Sequence, residues 1–245
     1  SPSKGEKIDV RSMKLTLSQV RGGTPLGPRW SGMPDARSRR LRVIVRRIRR
    51  YDFSAHSDGE LRSALQRLKG HRERAPEVFA VVDEAVRRRL GAWRLFDIGF
   101  DKGALRRYED LAGQIIDASP YRDRIEFYSA PDFLDGHAFD RSIAPMLRDM
   151  GLDSDERAIV TAAVYVAEKR RRGQDSDILL PAEFYRAVAA KDRDGLLSFL
   201  VSDEQLTVGL LLSEKVAVEM NAGEGKTIAA SFSAVAQALS DRTVH

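Results

Sequence analysis

The sequence contains no cysteine, which excludes a disulfide framework, a thiol nucleophile and a cysteine-ligated zinc site. It also has no apolar run of the roughly 18 residues that a membrane-spanning helix requires, and residues 1–30 lack the apolar stretch of a signal peptide. The histidines show no spacing typical of metal ligands, so we expect no histidine-based metal site. They are His56, His71, His137 and His245.

What is present fits a globular protein with a charged surface. Of the 245 residues, 42% are hydrophobic and 31% are charged, and the net charge is +5. This positive balance permits an anionic partner without naming one. The chain begins at Ser1, and its last residues, Thr243 to His245, read as the start of a β-strand. We therefore expect a piece of a longer protein.

Residues 1–36 are rich in glycine, proline, serine and basic residues. This composition buries little surface and interrupts both helices and strands, so it predicts a flexible tail. Residues 37–51 then carry an apolar stripe at helical spacing, surrounded by arginines. Such a helix either packs its stripe on its own domain or binds an anionic membrane or nucleic acid. The arginines are Arg39, Arg40, Arg42, Arg46, Arg47, Arg49 and Arg50.

Three segments have the spacing of a helix-capping box. In such a box the first side chain accepts a bond from the main-chain amide three residues on, and the side chain of that later residue accepts from the first residue's amide. They are Ser57 to Glu60, Asp153 to Glu156, and Ser202 to Gln205. Further helical patterns lie at about 103–117, 137–150, 154–172 and 182–200, and the helix after Ser202 should reach about Lys215.

The most informative segment lies near the C-terminal end. Val216 to Val218 forms a short apolar run that predicts a buried parallel strand, and an apolar helical pattern covers residues 228–239. Between them, residues 221–227 read N-A-G-E-G-K-T. A strand, a glycine-rich turn, Gly-Lys-Thr and a helix are the context of a phosphate-binding loop. Met220 stands where the full motif has its first glycine.

Residues 219–227, E-M-N-A-G-E-G-K-T, resemble the E-M-x-T-G-E-G-K-T of the SecA family, the ATPase motors of bacterial protein export. Gln205-Leu206 and Gly209 resemble the family's V-Q-L-x-G-G segment, and Gln205 precedes Gly223 by the family's spacing of 18 positions. Residues 76–85 resemble P-E-A-F-A-V-V-R-E-A, residues 94–97 resemble R-x-F-D, and residues 57–61 resemble S-D-E-E-L. Val244-His245 resembles the start of the V-H-V-V-T strand.

This resemblance implies an ATP site with Mg²⁺. Gln205 would bond the adenine edge, and the Phe96 ring would lie near the base. The phosphates and Mg²⁺ would be held by Gly223, Glu224, Gly225, Lys226 and Thr227, with Thr227 as the metal ligand. Two departures are that Ala222 replaces a threonine of the family and that the residues before Gln205 differ. No residue is assigned a catalytic role, because the acidic Walker B pair and the arginine finger of the family lie outside these residues. The isolated chain should therefore hydrolyse no ATP.

In the family the F-D pair runs almost directly into the glutamine, whereas here residues 98–202 separate them. We therefore expect four parts: a tail (1–36), N-terminal helices of a motor domain (37–97), an inserted helical module (98–202), and the glutamine-motif and phosphate-loop segment (203–245). The predicted fold class is mostly α with a partial α/β P-loop, or RecA-like, element at the C-terminal end. The whole would be a fragment of a larger α/β motor domain.

The resemblance implies part of an ATPase that moves proteins across the bacterial cytoplasmic membrane. Its partners would be preproteins and a SecY-type channel, with an unknown partner for residues 98–202 and no nucleic acid. It would be cytoplasmic and peripherally bound to the membrane, whose anionic surface Arg39, Arg42, Arg46 and Arg50 could contact. Two alternatives stay open: a fragment of a DEAD-like nucleic-acid helicase, and a non-catalytic module that binds a nucleotide or a partner.

Overall fold

The computed structural model describes residues 15–16, 29–30, 35–118, 147–221 and 223–240. These residues are mainly helical, as the sequence predicts. The helices are α1 (Asp35–Ile48), α2 (Asp58–Arg67), α3 (Ala75–Leu90), α4 (Arg106–Ala118), α5 (Ser154–Arg171), α6 (Ala182–Lys191), α7 (Asp203–Ser213) and α8 (Lys226–Leu239). Short 3₁₀ turns cover Arg72–Arg74, Ala92–Phe96, Gly103–Leu105 and Asp175–Asp177.

The chain divides into two compact units. The first unit takes Ser1–Asp52, Leu65–Asp83 and Val201–His245, and the second unit takes Phe53–Ala64 and Glu84–Leu200. The division cuts the sequence inside α2 and α3, so neither unit is one continuous stretch of chain. The predicted boundaries at residues 97 and 202 belong to a different kind of division, based on family likeness, and stay a prediction.

In the first unit, α7 packs against both α8 and α1. The apolar stripe of α1 is buried there, with Leu41, Val45 and Ile48 at most 4% exposed. This burial supports the interpretation in which the basic helix packs its apolar stripe on its own unit. A stacked ring pair, Phe79 on Phe232 at 5.3 Å, extends the same core. The Gly70 amide caps the end of α8 by donating to the Leu239 carbonyl at 2.9 Å.

The second unit has a larger apolar core, built where α5 packs against α4 and α6. Its fully buried side chains include Tyr108, Ile115, Tyr165 and Phe184. The α5 helix has buried residues on almost every turn, from Ile159 to Glu168, which is typical of a central helix with neighbours on several sides.

The three predicted capping boxes are confirmed. The Ser57 hydroxyl accepts from the Glu60 amide at 3.2 Å, and the Glu60 carboxylate accepts from the Ser57 amide at 2.6 Å. The same reciprocal pairs open α5 at Asp153 and α7 at Ser202. These pairs join residues three apart, so the local sequence decides them.

Two local predictions in the C-terminal half differ from the structure. The helix predicted over 182–200 ends at Lys191, because the Asp192 carboxylate accepts from the Leu196 and Leu197 amides and Gly195 turns the chain with a φ of +68°. Residues 216–218 form no strand, and within the described part of the chain after Val201 only Glu219 makes an isolated bridge. A lone extended segment becomes a strand only beside a partner strand, so the α/β element stays a prediction.

The predicted tail lies mostly outside the described residues. Within it, β1 (Leu15–Thr16) pairs antiparallel with β2 (Arg29–Trp30), and Leu15 stands opposite Trp30. The absence of strand expected from composition is therefore wrong at these positions, where threonine and tryptophan favour extended pairing. In the described part of the chain, no helix combines the length and the apolar composition of a membrane span. The predicted helix at 137–150 is described only from residue 147 onward.

Candidate functional site

The glycine-rich loop directly precedes α8 in the first unit. Gly223 and Gly225 have φ values of +85° and +81°. These values lie in the left-handed region that only glycine adopts without strain. Gly225 is the N-cap of α8, and its carbonyl accepts the first helical bond from the Ala229 amide at 3.0 Å. Both glycines that the sequence singled out are therefore where the backbone needs them.

Gln205 connects helix α7 to this loop. Its side-chain oxygen accepts from the Ser202 amide at 3.0 Å, and its side-chain nitrogen donates to the Glu224 carbonyl at 3.3 Å. The amide lies so close to Gly225 that a Cβ built on this glycine would overlap the Gln205 nitrogen. Gly225 is thus required twice, by its backbone angle and by the approach of Gln205.

The side chain of Glu224 folds back onto the beginning of the loop. Its two oxygens accept from the main-chain and side-chain nitrogens of Asn221, at 2.7 Å and 2.8 Å. The Asn221 side chain was not among the predicted site residues. The signal that could have found it is the N-x-x-E spacing, which places a carboxylate three residues after an amide.

Lys226 and Thr227 are the first two residues of α8, and both are exposed. The amides at a helix N-terminus have no intrahelical acceptor and carry partial positive charge. Among the residues that the structure describes, no carboxylate lies within 4.0 Å of the Lys226 ammonium. The loop therefore offers an exposed ammonium, an exposed hydroxyl and helix N-terminal amides at one place, which is a chemistry suited to an anion and a hard cation.

Close packing of α7 on α8 brings the loop near Gln205. The helices approach at Gly209, where an added Cβ would lie 2.9 Å from the Phe232 Cβ, 3.0 Å from the Ala229 carbonyl oxygen and 3.1 Å from the Phe79 ring. Real Cβ atoms do not tolerate such contacts without movement of a neighbour. Gly209 thus allows the approach that brings Gln205 to the loop.

Phe96 lies in the second unit, at the end of the 3₁₀ turn Ala92–Phe96. The residue is 3% exposed. Its ring stacks on Phe184 at 5.4 Å and meets the edge of Trp93 at 5.6 Å. The structure thus places the ring inside an apolar core, and its role beside an adenine base stays a prediction.

The arginines predicted to face an anionic surface are all exposed on α1 or just after it: Arg39, Arg42, Arg46 and Arg50. Two of their neighbours serve the fold instead. Arg37 pairs with Glu214 at 2.7 Å, while Arg49 pairs with Asp83 and Asp203, each at 2.9 Å. The basic helix therefore divides its arginines between internal ion pairs and an exposed row.

A buried polar network in the second unit was not predicted. Arg88, which is 4% exposed, donates to Glu84 at 2.7 Å, to Asp58 at 3.0 Å and to the His56 carbonyl at 2.7 Å. Its guanidinium lies 4.1 Å from the centre of the Tyr185 ring. The Tyr185 hydroxyl donates to Asp58 at 2.7 Å, and burial first, then the Asp58 charge, raises the Tyr185 pKa far above its usual value. All these groups are bonded to one another, so the network is structural.

Comparison with known proteins finds a family likeness over residues that include the loop. Residues 147–245 match the model of the SecA DEAD-like domain. The chloroplastic SecA translocase subunit of Ostreococcus lucimarinus is 40% identical over 78 residues, which are 32% of this chain and 8% of that protein. SecA 1 of Magnetococcus marinus is 34% identical over 111 residues, 43% of this chain and 12% of the relative. No solved structure gives a significant match.

Residues 147–245 are therefore similar to the SecA family, as a family model and several SecA relatives agree. The expectation drawn from the E-M-N-A-G-E-G-K-T segment is confirmed there. The matched part is only about a tenth of the length of these curated relatives. The family match also includes residues 147–202, which belong to the predicted inserted module, so the extent of that module stays a prediction.

Proposed function

We propose that this chain supplies the adenine- and phosphate-binding part of the ATP site of a SecA-like protein-translocating ATPase. The observation that carries the proposal is the glycine loop at the start of α8, with Gly223 and Gly225 at positive φ and Lys226 exposed beside them. This arrangement is suited to binding phosphate oxygens, which supports the proposal. The SecA match over the same residues supplies the reaction class.

Each loop residue has a part in this proposal. The amides near Gly223, Glu224 and Gly225 bond phosphate oxygens, and Lys226 places its positive charge against the terminal phosphates. Thr227, one residue into the helix, offers its hydroxyl to Mg²⁺. The metal would supply charge neutralisation on the phosphate oxygens. Gln205 bonds the adenine edge while remaining within reach of the loop, because it already contacts the Glu224 carbonyl.

The partners follow from the same proposal. A SecY-type channel and preproteins would engage the full motor at the inner face of the cell membrane, with the motor itself cytoplasmic. The exposed row of Arg39, Arg42, Arg46 and Arg50 is suited to an anionic lipid surface. A helicase fragment would use such a row on nucleic acid instead. Sedimentation with anionic vesicles, compared with binding to duplex DNA at the same salt, separates the two.

The test of the ATP site is a titration of the 245-residue chain with ATP and Mg²⁺, alongside a matched pair of lysine variants. Lys226→Gln should weaken ATP binding about tenfold or more, because a charge-assisted bond to phosphate is lost. Lys215→Gln makes the same charge change at an exposed lysine outside the loop and should leave affinity as it was. Equal affinities for all three proteins would refute the assignment. We expect the isolated chain to release no phosphate from ATP.

A further inference from the structure

The contact between Asn221 and Glu224 has a consequence for Lys226. Glu224 is the one carboxylate in the segment N-A-G-E-G-K-T, and both of its oxygens are bonded to Asn221, at 2.7 Å and 2.8 Å. We call these two bonds the Asn221 clasp. A carboxylate with two such donors is fixed in direction as well as position.

Without the clasp, Glu224 would be within reach of Lys226. The two residues are two positions apart, which is at most about 7 Å along the chain, and both have long side chains. In the described part of the chain the two side chains form no ion pair within 4.0 Å, and Lys226 is exposed. The clasp directs the carboxylate toward the start of the loop, whereas Lys226 begins the helix on the other side of Gly225.

We propose that Asn221 is a positioning residue, which holds the Glu224 carboxylate away from Lys226 so that the ammonium stays available to an anion. In its functional part this inference rests on the proposed ATP site, where the anion is the polyphosphate tail of a nucleotide. An ion pair between Glu224 and Lys226 would compete with that tail for the same positive charge. The clasp removes the competitor without removing the carboxylate from the loop.

The first test is independent of nucleotide binding. Asn221 is the sole asparagine of the sequence, so protein labelled with ¹⁵N-asparagine gives one backbone signal and one side-chain amide pair. Glu224→Gln should shift both sets of signals, because both nitrogens donate to this carboxylate. Glu219→Gln, the same change at an exposed glutamate before the loop, should leave the side-chain pair in place. Unmoved Asn221 signals in Glu224→Gln would overturn the clasp.

The second test follows the ammonium itself through the ¹⁵N shift of the Lys226 side-chain nitrogen. In the wild-type background, Glu224→Gln should leave this shift nearly constant, because the two side chains are apart. In the Asn221→Ala background, the same substitution should move it, because the carboxylate keeps only the bond from the main-chain nitrogen of residue 221 and its second oxygen can turn toward Lys226. Identical responses in the two backgrounds would overturn the positioning role.

The third test connects the clasp to the proposed site. Asn221→Ala should weaken binding of ATP and of pyrophosphate by about two- to fivefold, the range of an exposed ion pair, and leave adenosine binding constant. Adding Glu224→Gln should restore the affinity, because no competitor remains. A merely structural Asn221 would leave the double variant as weak as Asn221→Ala, which would refute the proposal. If the wild-type chain binds no ATP, the proposed function fails, while the Lys226 shifts still decide the positioning role.

Discussion

The interior of the second unit and the glycine loop of the first use charged side chains in opposite ways. Around Arg88 every strong donor described has an acceptor in the same unit, namely Glu84, Asp58 and main-chain carbonyls. At the loop, Lys226 and Thr227 are exposed, and Glu224 is bonded within the loop. A saturated network stabilises a fold, whereas an exposed charge at a helix N-terminus is free to bind.

This difference locates the candidate function. The Arg88 network contains more ionisable groups than the loop, and a search for clusters of charge alone would favour it. Its groups are already bonded, so a ligand there would have to replace existing bonds at a cost. The loop has fewer charges, and its conformation depends on Gly223, Gly225 and the amide of Gln205. The two regions differ in whether their charged groups are available to bind a ligand, and not in how many charges they contain.

The largest expected effect is the loss of the buried cation. Arg88→Met should destabilise the second unit by roughly 3 kcal/mol, because it leaves Glu84 and Asp58 partly buried without their cation. Urea unfolding, followed by tryptophan fluorescence to which Trp93 of the second unit contributes, measures the change. Arg87→Met is the control, since the Arg87 side chain is 45% exposed and should cost little. Equal losses in the two variants would mean that the Arg88 network is not a structural centre.

The second effect concerns the packing beneath the loop. Gly209→Ala should destabilise the first unit by about 1–3 kcal/mol, because its Cβ would lie 2.9 Å from the Phe232 Cβ. Gly113→Ala makes the same change in α4, where nothing lies within 4 Å of the added Cβ, and should stabilise by about 0.4–1 kcal/mol. Thermal unfolding of the two variants compares them. Stability changes of opposite sign in the two variants would support the close approach of α7 and α8. A stabilising Gly209→Ala would contradict it.

The smallest effect depends on pH. Glu168 is 3% exposed, and its bonds to Arg171 first, then to Arg172, lower its pKa below 4.5. Because the folded pKa is lower than the unfolded one, its contribution is present above about pH 4.5 and is lost as the pH falls through the folded value. Glu168→Gln should therefore cost on the order of 1 kcal/mol at pH 7, and this cost should shrink as the pH falls below about 4.5.

Melting curves of wild type and Glu168→Gln between pH 7 and pH 3 measure how the stability difference between the two proteins changes with pH. Glu183→Gln, at an exposed glutamate of the same unit, serves as the control and should follow the wild type at every pH. A gap that stays constant with pH would show that the Glu168 charge adds nothing to the stability of the second unit.

Prediction from the sequence succeeded where partners are near in the chain. The capping boxes at Ser57, Asp153 and Ser202 need only a side chain and an amide three residues on, and all three are present. The helix over 182–200 was predicted too long, because Asp192 lies in a helical pattern but bonds the Leu196 and Leu197 amides. The two outcomes have the same physical origin, a short polar side chain that competes for main-chain amides.

By itself, the sequence determined the local chemistry: the caps, the positions where glycine permits positive φ, the arginine-rich face of α1 and the likeness to the SecA family. Tertiary structure decided which groups are paired. The Gln205 amide meets the Glu224 carbonyl 19 positions away, and Arg88 meets Asp58 30 positions away. Bonds of this kind depend on how helices pack, and no periodicity within one segment encodes that packing.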